Sequence, residues 1–182
     1  MRIQSQVFEQ IQNGSFPMAE LMRKYEVPGV TLAVIQDGEM TYSGAYGVRN
    51  EQGTPMTEGV LFECASLTKS VFALLAMQEV QAGKLDLDAP IAPLLQEEPW
   101  SNDPRFLTIT PRQCLSHGCG LPNWQAKPMD MLFDPGTKYS YSGEGYFLLQ
   151  KLIEQIEGKN MNELFKERFF GKYGMESSTA YW

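Results

Sequence analysis

The chain has 182 residues, 43% of them hydrophobic and 20% charged, and carries a net charge of −7 at pH 7. That length suits one domain able to bury a core, and the composition is ordinary for a soluble globular protein. The acidic balance, with Lys and Arg only in scattered pairs, argues against nucleic acid or an anionic membrane surface as a partner.

The longest apolar runs, Val30 to Ile35 and Val71 to Met77, are far too short to span a bilayer. Residues 1–20 carry Gln, Glu and Asn where a secretory signal needs an apolar stretch, so the expectation is a cytoplasmic protein, or a periplasmic or secreted one whose leader has been removed.

Residues 4–25 read as one or two helical segments, interrupted at Asn13-Gly14 and Pro17. Val27-Pro28-Gly29 ends the helix, and two β-rich runs follow, Gly29 to Ile35 and Met40 to Val48, flanking Asp37-Gly38. That arrangement predicts a β-hairpin. Residues 49–62 form a polar loop. From Ser66 the apolar residues Leu67, Val71, Leu74, Leu75, Met77 and Val80 recur near a 3.6-residue period. They predict the most amphipathic helix of the chain, stopped by Gly83 at C′.

Residues 84–105 are rich in Pro and Asp and read as loop with short turns. Thr110-Pro111 predicts an N-cap followed by Pro at N1, opening a short helix through Leu115. Ser142 predicts the cap of a helix running through Leu148, Leu149, Leu152, Ile153 and Ile156 to Gly158, and a further helix spans roughly Met161 to Phe169. The order is helix, hairpin, then a mostly helical block.

The chemistry concentrates at Ser66-Leu67-Thr68-Lys69. Three residues along a helix is a rise of roughly 4.5 Å with both side chains on one face. A hydroxyl and an ammonium therefore meet at a helix N-terminus. There the Ser66 N–H is a natural oxyanion donor, and a partly desolvated Lys69 is a candidate general base. Ser-x-x-Lys alone is a weak signal, since a serine cap followed by a solvated lysine has the same spacing.

Cys64, Cys114 and Cys119 cannot all pair within one chain, which fits a reducing compartment. Cys114-x-x-His117-x-Cys119 gathers soft ligands, but a zinc reading needs a fourth ligand and a more usual spacing. Neither a metal nor a cofactor is expected. His117, the sole histidine, would have to serve any Ser-His-Asp triad, and the chain lacks the G-x-S-x-G elbow.

The flanking residues decide between these readings. Val27-Pro28-Gly29-Val30 before the hairpin, then Phe62-Glu63-Cys64-Ala65-Ser66-Leu67-Thr68-Lys69-Ser70, resembles the serine β-lactamase and penicillin-binding-protein family, nearest its class C and esterase-like branch. Three later segments agree in order: Ile109 to Pro122, similar to a helix and turn ending His-Thr-Ser-Gly-Leu-Pro; Pro135 to Tyr146, similar to the segment with the second catalytic motif; and Tyr173-Gly174-Met175, similar to a Leu-Gly-Met landmark. The resemblance covers about residues 18 to 182.

It implies an α+β, β-lactamase/transpeptidase-like fold. Residues 1–60 would supply an N-terminal helix and a hairpin of the central antiparallel sheet, and residues 61–182 the helical region with the site. It also implies Ser66 as acylated nucleophile, Lys69 as its base partner, Tyr141 as proton shuttle to the leaving group, and a structural role for His117. Gly143 stands where many members carry an asparagine that binds the substrate's amide. An ester or other small acyl substrate is therefore expected over a β-lactam.

The family's third motif, the remaining sheet strands and the closing helix belong to a C-terminal half beyond Trp182. By this resemblance the chain is an N-terminal fragment, one incomplete catalytic domain. The expected partner is a small-molecule ester or amide, with a complementing C-terminal half or self-association as further alternatives. A non-catalytic remnant or binding module that keeps the scaffold is the competing reading.

Overall fold

The breakers Asn13-Gly14 and Pro17 split the N-terminal helical stretch into α1 (Arg2–Gln12) and α2 (Met18–Lys24), as the sequence predicts. The structure is a computed structural model describing residues 2–96 and 99–181. The chain forms two compact units, Met1–Glu63 and Cys64–Trp182.

In the first unit α1 and α2 both pack on the hairpin of β1 (Gly29–Gln36) and β2 (Glu39–Gly47). The strands are antiparallel, paired from Gly29↔Gly47 to Gln36↔Glu39, with an irregularity between Val34 and Ile35 that leaves Thr41 as the extra residue of β2. Asp37 (φ 52°) and Gly38 (φ 84°) both adopt the left-handed conformation that a two-residue type I′ turn requires. A side chain at the second position is strained there. Gly38→Ala is expected to lower stability by about 1 kcal/mol, read as a lower urea midpoint at unchanged slope. An unchanged midpoint would show that the turn accepts a Cβ.

The second unit is helical and holds the larger core, with Leu75, Ile91, Trp100, Ile109, Leu121, Leu148, Leu149, Ile153 and Leu164 fully buried. A 3-10 turn over Ala65–Leu67 leads into α3 (Thr68–Gln81), and further 3-10 turns occupy Ala92–Leu94 and Pro104–Thr108. Next come α4 (Pro111–Leu115), α5 (Gly143–Glu157) and α6 (Met161–Phe165), which runs on as a π-helical turn over Lys166–Phe170. Both α3 and α4 pack against α5.

The predicted caps are present. Thr110 and Gln113 form a reciprocal capping box at α4, and the Ser142 hydroxyl accepts from the Gly145 N–H at α5. Gly83 (φ 70°) and Gly158 (φ 63°) end α3 and α5 in the left-handed conformation.

The predicted stripe on α3 needs correcting. Phe72, Leu75, Ala76 and Glu79 form its buried face, whereas Leu67 just before it and Leu74 and Met77 on it are exposed. Apolar residues occupy nearly every face of this helix, so no single stripe dominates and periodicity alone selects the wrong one. The helix proper also begins at Thr68, with Ser66 in the preceding 3-10 turn.

Glu79 is the one acidic residue on that buried face. Its carboxyl lies beside that of Glu157, and Arg168 reaches both, at 3.7 Å from Glu79 Oε1 and 3.6 Å from Glu157 Oε2. Lys84 Nζ donates to Glu157 Oε1 at 2.5 Å. Neither Glu79 oxygen accepts a hydrogen bond from a donor among the described residues, and a proton shared with Glu157 is the expected way to satisfy the pair.

Burial, then Glu157, raises the Glu79 pKa, while Lys84 in first place lowers that of Glu157. A carboxyl raised by folding stabilises at low pH, and that contribution fades as pH climbs through its folded value; the depressed Glu157 loses its contribution as pH falls. Glu79→Gln preserves the shared hydrogen bond without the titration. It is expected to match the parent's Tm at pH 5 and exceed it at pH 8 by about 3 °C. Equal loss at both pH values in thermal melts would refute the shared proton.

Candidate active site

Ser66 lies in the middle of the 3-10 turn that opens onto α3, after Ala65 in a left-handed conformation (φ 42°) that is unusual for a residue with a Cβ. The Ser66 N–H belongs to the first turn, where no earlier helical carbonyl receives it, leaving it available to an oxyanion. Lys69 follows one turn on and half-buried, with its Nζ 3.3 Å from Ser66 Oγ.

Tyr141 reaches the same oxygen from the segment before α5, its hydroxyl donating to Ser66 Oγ at 2.7 Å. All three residues singled out in the sequence thus meet at one oxygen atom. Lys69 Nζ also lies over two aromatic rings, 5.1 Å from the centroid of Tyr141 and 5.4 Å from that of Tyr146. Lys69, then Ser66, lowers the Tyr141 pKa by hydrogen bonding, which favours the phenolate.

His117 supports the segment that carries Tyr141 without facing Ser66 Oγ. Its backbone is left-handed (φ 57°), its carbonyl accepts from the Ser140 N–H at 3.0 Å, and its Nδ1 accepts from the Ser142 N–H at 3.1 Å. An accepting Nδ1 carries no proton, and burial followed by the nearby Lys69 lowers the His117 pKa. The ring stacks 4.4 Å from Tyr141 and 5.1 Å from Tyr146. The histidine therefore clamps residues 140–142 from both backbone and ring, and among the described residues no hydrogen bond joins it to Ser66. A triad through His117 has no geometric basis.

Cys114 and Cys119 are buried side by side while Cys64 is exposed. Burial pushes the Cys114 thiol up, and the Cys114 thiol beside it brings Cys119 down to about 7. Among the described residues no group of three His, Cys, Asp or Glu side chains is arranged to hold a metal.

Ser142 points away from Ser66. Its side chain is fully buried, and its hydroxyl donates to the Pro122 carbonyl at 2.9 Å while capping α5. Gly143 is packed by the neighbouring loop: a Cβ there would stand 2.6 Å from the Asn123 carbonyl oxygen and 3.1 Å from both Asn123 Oδ1 and the Trp124 ring. The glycine is therefore a packing requirement of this loop.

Two contributors escape sequence reasoning. Tyr146, whose hydroxyl donates to the Leu115 carbonyl at 3.1 Å, lies under Lys69, and Asn123 accepts from the Gly143 N–H at 3.0 Å. Nothing local marks Tyr146, five residues after Tyr141, which itself precedes α5. Asn123 has no local mark either.

The α+β arrangement and the serine on a turn entering a helix, with lysine and tyrosine on its hydroxyl, define a class, the β-lactamase-fold serine hydrolases. The family model described as Beta-lactamase matches residues 18–182, and the chain belongs to that family.

Penicillin-binding protein 4 of Amycolatopsis lactamdurans is 27% identical over 175 residues, covering 87% of this chain and 46% of that protein. Esterase EstB of Burkholderia gladioli is 33% identical over 117 residues, covering 63% of this chain and 30% of that protein. The structure of D-alanine carboxypeptidase AmpC from Burkholderia cenocepacia superposes with a TM-score of 0.76 at 26% identity, covering 94% of this chain and 49% of that one. The chain spans under half the length of each of these relatives. Among the described residues no helix is long and apolar enough to cross a membrane.

Proposed function

We propose that this chain carries the nucleophile of a serine hydrolase that cleaves an ester or small amide through a Ser66 acyl-enzyme. The convergence of Tyr141 OH, at 2.7 Å, and Lys69 Nζ, at 3.3 Å, on Ser66 Oγ carries this reading.

The division of labour follows from the electrostatics. The Lys69 ammonium stabilises the Tyr141 phenolate, and the phenolate removes the Ser66 proton as Oγ attacks the substrate carbonyl. Negative charge on the tetrahedral oxygen falls to the Ser66 N–H, helped by the partial positive charge of the helix start. As the carbon–oxygen or carbon–nitrogen bond breaks, Tyr141 passes the proton to the departing alcohol or amine. Water, deprotonated by the same phenolate, then attacks the acyl-serine, and as the acyl–Oγ bond breaks Tyr141 returns that proton to Oγ, giving the free acid and restoring Ser66. Lys69 thus acts through Tyr141 as well as on Ser66.

The partner in this reading is a small ester or amide. An oxyanion hole uses two donors, and a complementing segment or second copy as source of the second belongs to the same proposal.

The test is covalent labelling of the purified protein with a fluorophosphonate, followed by peptide mapping. A single adduct on Ser66 is expected, absent from Lys69→Ala. No adduct on Ser66 even when a complementing C-terminal half is supplied would sink the hydrolase reading and favour a binding module on the same scaffold.

A further inference from the structure

Two thiols that the hydrolase chemistry does not use flank the histidine that clamps residues 140–142. Cys114 lies in the last turn of α4, and the chain reverses directly after it. The His117 N–H donates to the Cys114 carbonyl at 3.2 Å and the Gly118 N–H to the Gln113 carbonyl at 2.7 Å, with His117 itself left-handed (φ 57°). This reversal brings the Cys119 thiol back beside that of Cys114, and both residues are fully buried.

The pair is packed against the segment that carries Tyr141. Cys119 Sγ lies on the first turn of α5, where a Cβ on Gly145 would stand 2.6 Å from it. The Gly145 N–H donates to the Ser142 hydroxyl at 2.8 Å, and the Ser142 N–H donates to His117 Nδ1 at 3.1 Å. A movement of the sulfurs therefore reaches Ser142 by two routes, through α5 and through His117. The two thiols also differ in reactivity. Burial pushes Cys114 up, whereas the Cys114 thiol, then the Leu121 main chain and Ser142, bring Cys119 down to about 7. Cys119 is thus the readier thiolate.

We propose that Cys114 and Cys119 form a modification site, a dithiol that hydrogen peroxide converts to an intramolecular disulfide, slowing the chemistry at Ser66. The Cys119 thiolate attacks one peroxide oxygen, the O–O bond breaks, and hydroxide leaves with a proton as water. The Cys114 sulfur then displaces the remaining oxygen from the Cys119 sulfenic acid as a second water, its own thiol proton leaving with it. The two thiols give up two hydrogens and two electrons, and peroxide is reduced to two waters. Full burial restricts the reaction to small oxidants that enter as the loop opens. Closing the S–S bond draws sulfurs in van der Waals contact together by over 1 Å, to about 2.05 Å. Cys119 then leaves its place on α5, and the loop holding His117 moves with it. The effect on Ser66 rests on the acyl-enzyme reading, and the disulfide itself does not.

Protein prepared as for the fluorophosphonate labelling would be treated with hydrogen peroxide. Free thiols would be alkylated after unfolding and mapped, and the rate of Ser66 labelling measured on the same sample. Cys114 and Cys119 are expected to escape alkylation together as one intramolecular disulfide. Labelling of Ser66 should slow by about tenfold or more, the effect of a displacement near 1 Å on aligned groups. Dithiothreitol should restore both. Cys119→Ser should keep its own untreated labelling rate in peroxide, which separates the disulfide from methionine oxidation.

The thiol map needs no variant. Cys114 and Cys119 both alkylated after peroxide would overturn the site. A disulfide with an unchanged labelling rate, or an equal slowing in Cys119→Ser, overturns its hold on Ser66. Failure of Ser66 to label in the reduced protein, with a C-terminal half supplied, overturns the hydrolase reading instead, and the thiol map still decides the disulfide.

Discussion

Ser66→Ala is expected to reduce ester hydrolysis by about 10⁴-fold or more, to the level of binding and oxyanion stabilisation alone. The reason is geometric. Lys69 and Tyr141 both direct hydrogen bonds at one oxygen atom, and in the proposed mechanism its removal leaves them no nucleophile to activate. The serine is exposed in its turn and buries no apolar surface, so the variant should fold with the parent's circular dichroism and Tm. Steady-state hydrolysis of a p-nitrophenyl ester, with mass spectrometry of the trapped acyl-enzyme, checks this. Turnover persisting within tenfold of the parent would assign the chemistry to a different group.

Tyr141→Phe and Lys69→Met are expected to separate the roles of phenol and ammonium. Loss of the phenol should lower kcat by roughly 10²- to 10⁴-fold across the whole pH range, the cost of removing a general acid–base group. Loss of the ammonium acts differently. The phenol must be ionised to take the Ser66 proton, so the rate rises with pH through the Tyr141 pKa, which Lys69 holds below its ordinary value near 10. Without Lys69 that pKa returns upward, so the rising limb of the pH–rate profile moves to higher pH and part of the lost activity returns in alkali. A Lys69→Met profile scaled down with its limb unmoved would instead make the lysine itself the base.

Much of this protein was legible locally. The hairpin followed from Asp37-Gly38 between two β-rich runs, and Thr110, Ser142, Gly83 and Gly158 marked helix ends, because caps and tight turns are chemistry within four residues. Ser66 and Lys69 were legible for the same reason, one helical turn fixing their approach. Tyr141, 75 residues beyond Ser66, was reached only through the resemblance of its segment to a family motif.

Other features had no local signal. The apolar residues around α3 gave no unique face, so its exposed Leu74 and Met77 and its buried Glu79 could not be told apart before α5 was placed against it. Gly143 looked like the loss of an amide-binding side chain. The fold makes it the space into which Asn123 packs.

The sequence by itself determined which turns and helices form and the pairing of Ser66 with Lys69, since those depend on backbone preferences and spacing along a single helix. Only the tertiary structure decided that Tyr141 meets the pair at Ser66 Oγ, that His117 clamps the segment carrying it, and that Asn123 packs against Gly143. Each of those contacts joins residues far apart in the chain, and their approach is set by how loops and α5 pack around a shared core, which no local pattern encodes.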